Sequence, residues 1–241
     1  MSIPIIPERS LALFLDVDGT LLEIAETPYA VVVPDPLKLA LDARSSHLQG
    51  ALALVSGRSV ETLDALFAPY RFAAAGIHGC ELRPAGSAIK HPAVDATQLT
   101  SARDALSTWA HRHPGTLLED KRYALALHYR LRPELETAAL DAVLPVLAML
   151  GGSYELQRGK SVYEIRPMGY TKGSAIRSFM RAAPFAGRTP MFIGDDITDE
   201  SGFAAVNELG GVSVCVGERA PTAARYRFAN VDAVVHWLGA R

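Results

Sequence analysis

At 241 residues, 49% of them hydrophobic, the chain has enough apolar material to bury a sizeable core in one large domain or two modest ones. A net charge of −2 gives no sign of a nucleic-acid or membrane-surface partner, because such binding needs a dense basic face. No apolar run approaches the roughly eighteen residues of a membrane helix, and the opening MSIPIIPERS lacks the features of a secretory leader, so a cytoplasmic protein is expected. The cysteines Cys80 and Cys215 stand far apart without CxxC spacing and read as reduced core thiols.

The first predicted strand is the apolar run 11–15, followed by an amphipathic helix in DPLKLALDARSSHL and a second strand over 51–55. SVETLDALFAPY predicts the next helix, with Ser59 as N-cap and Glu61 in its first turn, and a third strand follows over 72–75. From about Ser87 the rhythm changes. Helix ATQLTSARDALSTWAHRH, strands GTLLEDK and YALALHYR, helix PELETAALDAVLPVLAML and strands SYELQRG and SVYEIRP succeed one another, so that strands come in adjacent pairs. Strand and helix then alternate again: TKGSAIRSFMRA, the run 191–193, DESGFAAVNELG and the run 212–216. Strands apolar on both parities, separated by helices, predict a doubly wound, Rossmann-like parallel sheet; the paired strands predict an inserted α+β domain, an antiparallel sheet with two helices on one face. The expected core is residues 1–86 and 168–241, and the insertion is 87–167, with hinges at Pro84 to Gly86 and Pro167 to Gly169.

Three apolar strands end in polar residues of a particular kind: LFLDVDGT in Asp16 and Asp18, LALVSGR in Ser56, and MFIGDDITDE in Asp195, Asp196 and Asp199. Ligands of an open parallel sheet bind beyond the carboxyl ends of its strands, so these clusters converge on one site, joined by Lys172 at the start of the helix after the insertion. Asp16 and Asp18 repel if alone. A hard divalent cation, inferred to be Mg²⁺, would neutralise Asp16 with Asp195. Metal, ammonium and hydroxyl directed at one spot call for a dianion such as phosphate, and Asp16 is the candidate nucleophile, since no serine, cysteine or histidine is placed as one.

The set DVDGT, SGR, TKG and GDDITDE resembles the haloacid dehalogenase superfamily, and GIHG, ExK, HYR and GKxxxEIRP extend the resemblance to its trehalose-6-phosphate phosphatases over nearly the whole chain. That resemblance implies an aspartyl-phosphate intermediate on Asp16, with Asp18 as general acid and then general base. It places the metal on Asp16, the Asp18 carbonyl and Asp195, and makes Asp199 and Asp196 holders of metal waters or of Lys172. Ser56 and Lys172 would grip the phosphoryl oxygens, with Gly19 and Thr20 as further donors. The insertion would be a cap offering Glu119, Lys121, Arg130, Lys160 and Glu164 to the hydroxyls of a disaccharide, with His78 in the loop GIHG as another substrate contact. His111, His113, Trp109 and Trp237 read as solvated or packing residues, and His128 as part of the cap sheet. A small sugar phosphate is the expected partner. The alternatives are another sugar phosphatase or phosphohexomutase of the same core, and a non-catalytic phosphosugar-binding module.

Overall fold

The computed structural model describes residues 3–239, which fall into two compact units: the chain up to Lys90 with that from Thr171 onward, and His91–Tyr170. In chain order the first unit contributes β1 (Leu11–Leu15), α1 (Asp35–His47), β2 (Leu52–Val55), α2 (Val60–Phe67), β3 (Ala73–Gly76) and β4 (Glu81–Arg83). The second contains α3 (Thr100–Arg112), β5 (Leu117–Asp120), β6 (Leu125–His128), α4 (Glu136–Met149), β7 (Tyr154–Gly159) and β8 (Val162–Pro167). The chain then returns to the first with α5 (Lys172–Phe179), β9 (Thr189–Gly194), α6 (Glu200–Glu208), β10 (Val212–Val216), β11 (Tyr226–Phe228) and α7 (Val231–Gly239).

The sheet of the first unit has the order β11-β10-β9-β1-β2-β3-β4, parallel except where β4 runs against β3. Every residue of β1, β2 and β10 is buried, as expected of strands covered on both faces. From β1 the chain moves to β2 on one side and later supplies β9 on the other. The sheet therefore changes direction at β1, and the crevice beyond its carboxyl end is where such a fold binds ligands.

The strand β4 was not legible as an apolar run, because it is three residues long and two of them are buried charges. Glu81 Oε2 accepts from the Val60 amide at 2.7 Å, while Arg83 donates to Asp64 and, at 2.8 Å, to the Phe72 carbonyl. Leu82 and Lys90 then exchange both backbone hydrogen bonds, at 3.0 and 2.8 Å, so Pro84 to Gly86 is the turn of a hairpin in the first unit. Pro167 pairs with Tyr154 in the second unit's sheet. The boundaries consequently lie at Lys90/His91 and Tyr170/Thr171, a few residues beyond the expected 86 and 168.

The second unit's sheet is antiparallel, in the order β5-β6-β8-β7. Leu125, Leu127, Tyr163 and Ile165 bury their side chains with Ala102 and Leu106 of α3 and Ala139 and Val143 of α4. Alternation puts Glu119, Ala126, Glu164 and Gln157, which are register partners across the four strands, together in one row. Tyr170 closes the base of the unit: its hydroxyl accepts from the Ala93 amide at 3.3 Å, and its carbonyl accepts from Arg166. Among the described residues no helix is long and apolar enough to cross a membrane.

Candidate active site

Asp16 directly follows β1, and its amide still bonds the Ile193 carbonyl at 2.9 Å, so the strand carries it into the carboxyl-end crevice before the chain turns. The turn is built by Val17, whose carbonyl accepts from the amides of Leu21 and Leu22 at 2.9 and 3.0 Å. Gly19 sits at φ +86°, and a Cβ there would lie 2.1 Å from Asp195 Oδ2. Only glycine lets this turn approach the end of β9 so closely. Thr20, fully buried, directs its hydroxyl to Asp16 Oδ2 across 3.4 Å, a long contact.

Lys172 is the first residue of α5, whose N-cap is Thr171: the threonine hydroxyl accepts from the Ser174 amide at 3.0 Å, and Ser174 Oγ accepts from the Thr171 amide. An ammonium buried at the positive end of a helix is unfavourable unless anions meet it. Lys172 Nζ meets two, Asp16 Oδ1 at 2.7 Å and Asp199 Oδ1 at 2.6 Å, and their charges raise its pKa despite burial. The other oxygen of Asp199 accepts from the amides of Asp195 and Asp196, both at 2.9 Å. Asp199 thus ties the lysine to the loop after β9. Asp196 spends its carboxylate differently, capping the turn 197–199 through the Ile197 amide at 2.7 Å.

Asp16, Asp195 and Asp199 bring carboxylate oxygens within 4.8 Å of one another around one ammonium. Burial and the neighbouring Asp199 charge hold Asp16 well above the usual carboxylate range, and the same two causes push Asp195 up to about 7. Asp195 Oδ1 is buried and meets no donor among the described residues. A compact set of hard oxygen donors with uncompensated negative charge suits a small divalent cation, so these residues fit a metal of the Mg²⁺ kind.

Asp18 is engaged by a residue to which the sequence reading gave no role. Arg58 grips it with both arms, Nε to Oδ2 at 2.7 Å and Nη2 to Oδ1 at 2.8 Å. Arg58 belongs to the SGR turn after β2, where its amide donates to Ser56 Oγ at 3.1 Å. The GIHG loop braces that turn from behind, Ile77 N bonding the Arg58 carbonyl and His78 N the Ser56 carbonyl, each at 2.9 Å. Ile77 and His78 are both left-handed, at φ 48° and 55°, a strained conformation for a β-branched residue. The His78 ring lies so close over Gly57 that a Cβ there would be 2.8 Å from it. His78 therefore packs in the first unit against the turn bearing Ser56.

In the second unit the structure gathers three of the five expected sugar contacts. Lys121 Nζ is 2.9 Å from Glu164 Oε2 and 3.9 Å from Glu119 Oε2, all three side chains being largely buried. His128 joins them, with Nε2 2.9 Å from Glu119 Oε2. Burial works to raise the Glu119 pKa, but the His128 hydrogen bond and the Lys121 charge outweigh it and hold that carboxyl below its ordinary value. His128 was legible only as a strand residue; its place two residues from Ala126 on β6 puts it on the Glu119 face. Arg130 and Lys160 form a separate pair at the sheet's end, Arg130 Nη2 donating to the Lys160 carbonyl at 3.1 Å.

The Asp195 shift sets a pH dependence. Its value of about 7 lies above the ordinary 3.8, so folding favours the protonated form; that contribution is complete at low pH and is lost as pH rises through about 7. Metal-free protein should therefore show a falling thermal midpoint between about pH 5 and pH 8, and Asp195→Asn should flatten the fall. A wild-type midpoint that climbed across this interval would contradict the electrostatics of the site.

The Trehalose-phosphatase family profile matches residues 14–232. The chain is 47% identical over 234 residues to the trehalose-6-phosphate phosphatase of Escherichia coli, covering 96% of this chain and 87% of that protein. It is 44% identical to a probable trehalose-phosphate phosphatase of Sinorhizobium fredii, covering 87% of this chain and 79% of the relative. Its fold superposes on the C-terminal domain of Candida albicans trehalose-6-phosphate phosphatase with a TM-score of 0.82 at 23% identity, spanning 96% and 92% of the two chains. A trehalose-6-phosphate phosphatase related protein gives 0.80 at 26% identity over 95% of each chain. The chain belongs to the trehalose-phosphatase family of phosphoric monoester hydrolases, and its fold is that of the haloacid dehalogenase phosphatases, with an inserted second unit.

Proposed function

We propose that the protein hydrolyses trehalose 6-phosphate to trehalose and phosphate, with Asp16 as nucleophile and Mg²⁺ as cofactor. The observation that carries the chemistry is Asp16 itself: a carboxylate 3% exposed, at the end of the central strand, with one oxygen fixed by Lys172. Asp16 attacks phosphorus, an oxygen–phosphorus bond forms as the bond to the sugar oxygen breaks, and Asp18 gives that oxygen its proton. Asp18 then takes a proton from the water that cleaves the phosphoenzyme, which frees inorganic phosphate and restores Asp16. Mg²⁺ held by Asp16, Asp195 and the Asp18 carbonyl would neutralise the transferring phosphoryl group. Ser56 accepts from the Arg58 amide, which leaves its own proton to donate to a phosphoryl oxygen, and Lys172 supplies a second, charged donor.

The non-reacting glucose is the concern of the cap unit. Lys121 held between Glu119 and Glu164 offers a fixed ammonium and carboxylate oxygens to sugar hydroxyls, and the buried setting strengthens each bond. Binding energy from this distal ring is then available for catalysis. Discrimination between a disaccharide and a monosaccharide phosphate rests on these contacts, and this favours a phosphatase of trehalose 6-phosphate over one of hexose phosphates.

Phosphate release from trehalose 6-phosphate should exceed that from glucose 6-phosphate by a wide margin, and Asp16→Asn should abolish both while circular dichroism stays unchanged. Substantial turnover by Asp16→Asn would refute the phosphoenzyme.

Mg²⁺ should raise the thermal midpoint of the metal-free protein more at about pH 8 than at about pH 5, because protons compete for Asp195 and Asp16 at the lower pH. An equal shift at both would argue that the cation binds elsewhere.

Glu164→Gln should cost on the order of 1 to 3 kcal/mol in kcat/KM for trehalose 6-phosphate, the range for a charge-assisted hydrogen bond, and much less for an aryl phosphate. Equal losses on the two substrates would make Glu164 a support of the cap fold.

A further inference from the structure

We propose that Arg58 is the positioning residue for the general acid Asp18, holding its carboxyl group toward the leaving oxygen. The inference rests on the acid role of Asp18 in the function proposed above. The Arg58 side chain is 8% exposed and the Asp18 side chain 33%, so the carboxyl group is reachable on one side and backed on the other by a buried guanidinium. The grip is bidentate, which fixes the plane of the carboxyl group as well as its distance; a single point charge cannot do so.

The guanidinium is itself held. Its third arm, Nη1, donates to the Pro28 carbonyl at 2.9 Å, so three of its nitrogens are committed to named acceptors. Its backbone is fixed at both ends, by the bond from Arg58 N to Ser56 Oγ and by that from Ile77 N to Arg58 O. Even the neighbouring strand is adapted: a Cβ on Gly76 would lie 2.8 Å from the Arg58 carbonyl. A residue anchored this firmly, 40 positions from the carboxylate it grips, is built to transmit a fixed orientation. The same turn carries Ser56, so the hydroxyl offered to the phosphoryl group and the arginine that aims the acid are set by one rigid unit.

Positioning of an acid has a signature that support of the fold lacks. Protonation matters for an alkoxide leaving group such as a sugar oxygen, and scarcely for 4-nitrophenolate, which departs unprotonated. The experiment is to measure kcat/KM, which reports the steps up to phosphoryl transfer, on trehalose 6-phosphate and 4-nitrophenyl phosphate. The proteins are wild type, Asp18→Asn, Arg58→Gln, Arg58→Lys and Asp18→Asn with Arg58→Gln, each checked for its thermal midpoint and Mg²⁺ affinity. Displacement of a catalytic group by about an ångström costs on the order of 10²-fold, so Arg58→Gln should lose roughly that on the sugar phosphate and about tenfold less on the aryl ester. Arg58→Lys should restore only part, and Arg58→Gln should add little once Asp18 is already Asn. Equal losses on the two substrates, full rescue by lysine, or an additive double variant would overturn the proposal while leaving the acid role of Asp18 standing. An Asp18→Asn that itself failed to distinguish the substrates would remove the acid role and this proposal together. If Arg58→Gln does not fold, Arg58→Lys alone decides by the same ratio.

Discussion

An ammonium taken out of water at the positive end of a helix has to be met by anions, and the arrangement that meets Lys172 organises the whole first unit. Its partners lie 156 and 27 residues away in the chain, Asp16 on the turn after β1 and Asp199 on the turn after β9. The contact therefore fixes the N-terminus of α5 against the ends of two adjacent central strands. Asp199 extends the tie by accepting two amides of its own loop, which in turn sets the backbone bearing Asp195. Removal of the lysine would leave buried carboxylates facing one another, whereas removal of the carboxylates would leave a buried cation. Either is far more costly than the pair itself is stabilising.

The charges at this centre do not balance. Three carboxylates surround one ammonium, an excess of two negative charges, and the excess appears in the structure as the raised pKa values of Asp16 and Asp195. Two protons or one divalent cation would settle it. Asp18 is compensated by Arg58, whereas the single charge of Lys172 is shared by Asp16 and Asp199, so the remaining demand for positive charge belongs to the cluster of Asp16, Asp195 and Asp199 as a whole.

The core was legible to the extent that its strands are continuous apolar runs: β1 and β10 have the expected bounds, and Ser59 caps α2 as its position before the amphipathic run requires. The carboxyl-end rule gathers Asp16, Asp195 and Asp199 at one end of the sheet, and in the structure these carboxylates lie together with Lys172 bonded to two of them. What escaped were elements without an apolar signature and partnerships without a sequence spacing. β4 carries inward charges, β11 is three residues of mixed exposure, and α7 lies after both. Arg58 was in view within SGR, yet a lone arginine three residues from a strand end gives no hint of its partner. His128 was hidden in the same way, because an alternating strand shows which face a side chain takes and not what stands opposite it.

The two units use one device toward different ends. In each, a buried lysine is flanked by two carboxylates: Lys172 by Asp16 and Asp199, Lys121 by Glu164 and Glu119. The fourth member distinguishes them. In the core unit it is Asp195, a third carboxylate, which leaves an excess of negative charge. In the cap unit it is His128, a hydrogen-bonding partner for Glu119, which consumes one carboxylate oxygen and adds a directional contact in place of a third carboxylate. Neutral hydroxyls are recognised by such directional bonds, because a strong net charge would bind ions in preference to sugars. A phosphate ester of a disaccharide carries a dianion at one end and only hydroxyls at the other, and the two clusters differ in the same sense: three carboxylates around one ammonium in the first unit, and directional hydrogen-bonding partners in the second.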